Sequence, residues 1–314
     1  MNFWRGRALL LVLACGLLGG CGRDGQPPTP VGPDTTARTE ALLLSVHEKI
    51  DGTVDDRRAQ DFIAYTTLQG SLRACLAKAG YQYNLPPYVD SYAAWRKVPL
   101  PDTYPELAGV SVPDAERDGF GQADQITARR AAVAAGRRAP YDPAKGHLKP
   151  GYSEVWAACG AALPPYERAG EPDSTPALRD AFLAVLARAV DKPDVRRAAA
   201  GYQACVRDAG FPVNSREQMV IAVAERFAPF ATTPEGSTPR PLAGPDWTAA
   251  VAYERAAAVA DARCRAGVHD LTMAQLLAPL EAFVAERAQA LAAVTAEWAA
   301  TRAKAAELRT SGDW

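Results

Sequence analysis

Residues 273–308 read MAQLLAPLEAFVAERAQALAAVTAEWAATRAKAAEL. Within them Met273, Leu277, Leu280, Val284, Arg287, Leu291, Val294, Trp298, Thr301, Ala305 and Leu308 follow one another by alternating steps of four and three. That spacing is a heptad seam, the pattern of helices packed nearly parallel along one apolar stripe. Glu281, Glu286, Glu297, Arg302, Lys304 and Arg309 fall off the seam and read as solvated faces. Two residues disturb it. Arg287 stands at a seam position, so either Ala288 turns inward instead or the arginine lays its stem on the core and reaches water. Pro279 is expected to kink the helix or to mark its true start. Packing against the chain's own helices is expected for the seam, with pairing to a second molecule as the alternative.

Upstream segments show the same period. Thr39–Ile50 carries Leu42, Leu43, Val46 and Ile50 at helical spacing, and Asp51-Gly52 closes it. Thr53 can cap a helix running to Gly80, with Phe62, Ile63, Leu68, Leu72 and Leu76 as its apolar positions. Further on, Thr175 before Pro176 is a candidate cap, Ser215 with Gln218 resembles a capping box, and Asp246 can cap Trp247–Cys264. Few runs alternate apolar and polar residues as strands do. The expected fold class is all-α, a helical bundle with a long proline- and aromatic-rich loop region.

An internal repeat organises the bundle. Leu72-Arg73-Ala74-Cys75-Leu76-Ala77-Lys78-Ala79-Gly80-Tyr81 aligns with Tyr202-Gln203-Ala204-Cys205-Val206-Arg207-Asp208-Ala209-Gly210-Phe211. The informative match is a cysteine, a glycine five residues on, and an aromatic. Glycine can take the left-handed position that ends a helix, and the aromatic after it can pack back on the last turn. Each copy reads as a buried helix end carrying its cysteine inward, followed by irregular chain and a second cysteine, Cys159 or Cys264. Two related helical units are expected, about 37–170 and 171–314. Cys75, Cys159, Cys205 and Cys264 then form two disulfides, and four cysteines allow three pairings. Copies with equivalent roles favour Cys75–Cys159 with Cys205–Cys264. Pairing Cys75 with Cys205 and Cys159 with Cys264 also respects the repeat. Metal binding lacks support, because no pair has Cys-x-x-Cys spacing and only His47, His147 and His269 could assist.

The N-terminus speaks to location. Arg5 and Arg7 precede Ala8–Leu18, an apolar run too short to span a bilayer, which needs roughly 20 residues. Leu18-Gly19-Gly20-Cys21 resembles the lipobox of bacterial lipoproteins. That resemblance implies a signal peptide over 1–20, cleavage before Cys21, and a diacylglyceryl group on the Cys21 thiol. It implies attachment to the outer face of the cell membrane, and it covers residues 1–21 alone. Gly22–Thr36, with Pro27, Pro28, Pro30 and Pro33, reads as a tether able to reach roughly 45 Å. The domain is then 37–314.

Of 35 basic and 36 acidic residues, cleavage removes Arg5 and Arg7, leaving a net charge of −3. That balance gives no support to a nucleic-acid partner. The motifs of zinc peptidases, serine hydrolases and phosphate-binding loops are missing from the sequence, so no cofactor, metal or catalytic residue is assigned. His269-Asp270 reads as a helix-end pair, the histidine on a carbonyl and the aspartate capping the next helix. Tyr81–Tyr152 is long and proline-rich, and its Tyr83, Tyr88, Tyr92, Trp95 and Tyr104 form a candidate surface for a glycan or a protein of the envelope. The competing reading is that these rings only cover the helical core. The expected function is non-catalytic binding or scaffolding. A cell-wall-active enzyme, or an accessory or sensory subunit of a membrane complex, are the alternatives.

Overall fold

The computed structural model describes residues 33–311 apart from 84, 87, 94, 97, 101–103, 138–149 and 232–238. Eleven α-helices are described: α1 (Pro33–Asp51), α2 (Val54–Lys78), α3 (Val112–Asp118), α4 (Gln122–Arg137), α5 (Tyr152–Ala161), α6 (Thr175–Val190), α7 (Pro193–Ala199), α8 (Tyr202–Asp208), α9 (Arg216–Phe227), α10 (Pro245–Glu286) and α11 (Ala288–Ser311). No strand occurs among the described residues, and the fold is all-α. Cys21, the expected signal peptide and the expected tether up to residue 32 lie outside the described residues. Pro33–Thr36, read as tether, is instead the first turn of α1, because proline is preorganised for the first helical position.

The central element is α10, 42 residues long, which packs against α1, α3, α6, α7, α8 and α9. The sequence alone ends one helix at Cys264 and makes Pro279 either a kink in the next or its start. The chain is helical throughout, and Pro279 sits exposed inside it. Asp246 does not cap it; Gly244 holds the cap position and Asp246 pairs with Arg240 at 2.8 Å.

The real break is at Arg287. Its φ of −108° and ψ of 13° end α10, and α11 begins one residue later. Arg287 and Ala288 are both exposed, so neither expected adjustment occurs. The seam survives because the turn falls on its defective position. Met273, Leu280, Leu291, Val294, Trp298, Thr301 and Ala305 are all buried, joined by Leu276 and Phe283. On α10 the seam meets α1 and α6, whereas α11 lies along α2. The main core therefore joins Leu43, Val46 and Ile50 of α1, Leu178, Phe182, Val185 and Leu186 of α6, and the seam residues from Met273 to Trp298.

Local signals at α1–α2 hold. Thr53 and Asp56 form a reciprocal capping box at the start of α2. Ser215 accepts from the Gln218 N–H at the start of α9, while the Gln218 side chain accepts from Asn214 N–H. Thr175 behaves differently. It is fully buried, and its hydroxyl crosses to the Ile50 carbonyl at 3.3 Å rather than capping α6.

Both repeat helices end alike. Tyr81 N–H donates to Leu76 O and Gly80 N–H to Ala77 O, and Phe211 N–H donates to Val206 O and Gly210 N–H to Arg207 O. With Gly80 at φ 78° and Gly210 at φ 92°, each is a Schellman close, which an L side chain at that position would strain. The disulfides are Cys75–Cys159 and Cys205–Cys264, with Cα separations of 5.8 and 5.6 Å. Each joins a repeat helix to the later helix of its own half. Not every cysteine points inward: Cys159 is 2% exposed, but Cys205 is exposed. The halves also share one core rather than folding apart, since α1 packs on α10 and α2 on α11.

Candidate functional site

The described residues between 81 and 121 form a strap across the helices, and among them a short turn at Pro105–Leu107 and α3 are the regular structure. A chain without a hydrogen-bonded ladder must satisfy its backbone groups elsewhere. Here side chains from the helices do so. Tyr65 Oη donates to Pro86 O, and Arg58 Nη2 donates to Tyr92 O at 3.2 Å. His47 Nε2 lies 3.0 Å from Pro99 O, and His269 Nδ1 lies 2.9 Å from Glu106 O. Arg265 Nη1 donates to Pro105 O and Ala108 O at 3.0 and 2.6 Å, and its Nη2 donates to Gly109 O at 3.2 Å. At the far end the Glu254 carboxylate accepts from the N–H groups of Phe120, Gln122 and Ala123, the last two opening α4. The backbone comes so close there that a Cβ on Gly119 would lie 2.6 Å from Glu254 Cγ.

Three of these anchors, Glu254, Arg265 and His269, share α10. Glu254, Asp261, Arg265 and His269 are spaced by seven, four and four, which places them on one helical face, and all are buried. Ala257, Ala258 and Ala262 beside them are buried as well, and their small side chains leave room for the strap to approach. Asp261 holds Arg265 in turn, accepting from Nε at 3.0 Å and from Nη2 at 2.6 Å. Tyr202 Oη donates to Asp261 Oδ1 at 2.9 Å.

His269 is thus no helix-end residue. It is fully buried in mid-helix, between the Glu106 carbonyl and Glu40 Oε1, 2.7 Å from Nε2. Asp270 caps nothing; it accepts from the Thr36 hydroxyl at 3.3 Å.

The five candidate aromatics are half-buried. Tyr83 donates to Gln69 and packs 5.5 Å from Trp156. Tyr88 donates to Asp61 Oδ2 at 2.8 Å and meets Phe62 and Tyr65 edge-on. Tyr92 and Trp95 pair with each other, their centroids 4.9 Å apart. Tyr104 reaches toward the Leu183 carbonyl at 3.5 Å. Each hydroxyl among Tyr83, Tyr88 and Tyr104 is turned to the helices. Trp156 and Ile221 are the exposed large hydrophobic residues among those described. Tyr141, at the far end of the region, lies outside the described residues.

Electrostatics follow from burial. Burial pushes the Asp61 carboxyl up, against the Tyr88 hydrogen bond and with help from the Asp90 carboxylate. Glu254 is likewise raised by burial, despite its three backbone donors. Burial also raises the Tyr88 and Tyr202 phenols, reinforced by Asp61 and Asp261 respectively. No group of three metal-ligating side chains is gathered among the described residues.

Asp51 goes the other way. Burial raises its carboxyl, but the His47 hydrogen bond and the Arg179 guanidinium outweigh that and hold it below the usual carboxylate range. A depressed acid contributes stability fully above its unfolded value, about 3.9, and loses it as the pH falls through the folded value. Unfolding midpoints in urea should therefore drop more steeply for the native chain than for Asp51→Asn below about pH 4. Parallel acid limbs for the two proteins would contradict this.

Sequence reasoning singled out His269 but missed Glu254, Asp261 and Arg265. Their spacing was a usable signal, since three charged residues recur on one face of an alanine-rich helix. Comparison with protein-family models, with curated proteins and with solved structures finds no match.

Proposed function

We propose that this is a lipid-anchored extracytoplasmic protein that binds or scaffolds a partner in the cell envelope, a glycan or another protein, without catalysing a reaction. The observation that carries the reading is Leu18-Gly19-Gly20-Cys21 behind the short apolar run Ala8–Leu18. One acyl chain binds a membrane only marginally and two hold it stably, so a diacylglyceryl group on Cys21 is a sufficient anchor. Disulfides persist in oxidising compartments, and two of them fit a chain that has been exported. The Tyr92–Trp95 pair and the exposed Trp156 beside Tyr83 supply aromatic faces of the kind that glycans and peptides stack on.

The anchor is tested by expressing the full chain with Cys21→Ser in bacteria fed a clickable fatty acid. Acyl label should vanish and a longer, uncleaved chain should accumulate. Undiminished labelling of the variant would overturn the reading. Crosslinking from the surface of intact cells would then identify the partner.

A further inference from the structure

The two disulfides differ in what surrounds them. Cys75–Cys159 sits among Leu72, Leu76 and Tyr152, with Cys159 buried. Cys205 is exposed in the middle of α8, and Cys264 is half-buried on α10. Thiol–disulfide exchange needs a thiolate to reach a sulfur, so access separates the two bonds.

Position gives the exposed bond a consequence. Tyr202 precedes Cys205 by three residues on α8, and Asp261 precedes Cys264 by three on α10. The Tyr202–Asp261 hydrogen bond and the Cys205–Cys264 disulfide are therefore successive rungs between the same two helices. Asp261 is the carboxylate that holds Arg265, and Arg265 holds the strap carbonyls of Pro105, Ala108 and Gly109. A contiguous path thus runs from an exposed cysteine to the strap. Only seven residues long, α8 buries Val206 alone among its side chains. A helix that short is not stable by itself.

We propose that Cys205–Cys264 is a redox latch on the strap, opened by a protein dithiol and closed by its disulfide form. A thiolate of the dithiol attacks Cys205 Sγ; the Cys205–Cys264 bond breaks, and Cys264 leaves as a thiolate that takes up a proton. The second thiol of the reductant then attacks its own sulfur in the mixed disulfide and releases Cys205. Two electrons pass to the chain, and the reductant departs as a disulfide. With the lower rung gone, α8 loosens on α10, the Tyr202–Asp261 rung opens, and the Arg265 hold on residues 105–109 weakens. The Cys75–Cys159 bond stays closed throughout. The latch stands on the geometry of α8, α10 and the strap, whatever the proposed anchor proves to be.

The test uses the purified full chain, titrated with dithiothreitol without denaturant, quenched with N-ethylmaleimide and mapped by mass spectrometry. Cys205 and Cys264 should be alkylated at a dithiol concentration at least about tenfold below that needed for Cys75 and Cys159. In the half-reduced species, amide exchange over 104–110 and 202–213 should quicken at least about tenfold while α1 and α11 keep their protection. Tyr202→Phe, with both disulfides intact, should quicken 104–110 in the same direction. Alkylation of all four cysteines together, or of Cys75 and Cys159 first, overturns the latch. Unchanged exchange at 104–110 after selective reduction overturns its coupling to the strap.

Discussion

Trp298→Ala is expected to destabilise the domain by about 3–5 kcal/mol, the range for removing a large aromatic from a packed core. The indole is 1% exposed. Its Nε1 donates to Ile50 O at 3.2 Å, at the carbonyl that also receives the Thr175 hydroxyl, and the Arg57 guanidinium stands 5.3 Å from its ring. One residue thereby ties α11 to the end of α1, the start of α6 and the first turn of α2. Alanine would leave a cavity where four helices meet, and no single neighbour can collapse into it. Trp298→Phe keeps most of the volume but drops the donor, so its cost should be smaller, on the order of 1–2 kcal/mol. Urea unfolding followed by circular dichroism reads both. A loss below about 1.5 kcal/mol for the alanine variant would show that the site is less tightly packed than its burial implies.

Trp298 also shows why so much of the bundle was legible. Seam position is a local property of helical phase, and phase needs only the residues themselves. Leu43, Val46, Ile50, Leu72, Leu76, Met273, Leu291 and Trp298 all went inward as their spacing required. The break at Arg287 was not legible, because a turn placed on a seam position preserves the steps of four and three on either side. Nor does a seam name its partner. That α11 lies on α2 while α10 lies on α1 and α6 is decided by packing between helices far apart in the chain. The disulfide pairing was readable for the opposite reason. Two copies of one helix end carried the same cysteine, glycine and aromatic, and both close in the same hydrogen-bond pattern. The likeness of the halves extends further: Ile50-Asp51 ends α1 and Val190-Asp191 ends α6, and Arg57-Arg58-Ala59 and Arg196-Arg197-Ala198 come soon after. What obscured it is length, for α2 runs 25 residues where the second half has two helices of seven.

The strap was legible in composition and opaque in attachment. Proline and tyrosine announced an irregular segment, but its carbonyls are met by side chains from α1, α2 and α10, and no local pattern pairs a carbonyl with a distant arginine or histidine. Charged residues on helices read as solvated by default. Glu254, Asp261 and Arg265 depart from that default because an irregular chain beside them needed donors and acceptors that an apolar face could not supply.

Arg265→Met is accordingly expected to cost about 3–5 kcal/mol, more than loss of a surface ion pair, which is worth roughly 0–1 kcal/mol. Arg265 is 4% exposed and Asp261 1%, so the carboxylate left behind stays buried. Tyr202 Oη and, at 3.5 Å, Arg216 are its remaining partners. The carbonyls of Pro105, Ala108 and Gly109 lose a donor at the same stroke. Lysine should not rescue the site, because a point charge cannot reproduce the fork that serves Asp261 and three carbonyls together. Removing both charges should hurt less than removing one. In Asp261→Leu/Arg265→Met the buried carboxylate is gone, and the carbonyls, the Tyr202 hydroxyl and Arg216 each lose a partner, so the double variant should recover about 1–2 kcal/mol of the single loss. Urea denaturation of Arg265→Met, Asp261→Leu and the pair closes the cycle. A double variant less stable than Arg265→Met would mean that Asp261 acts through Tyr202 and Arg216 rather than as the counterion that holds Arg265 against the strap.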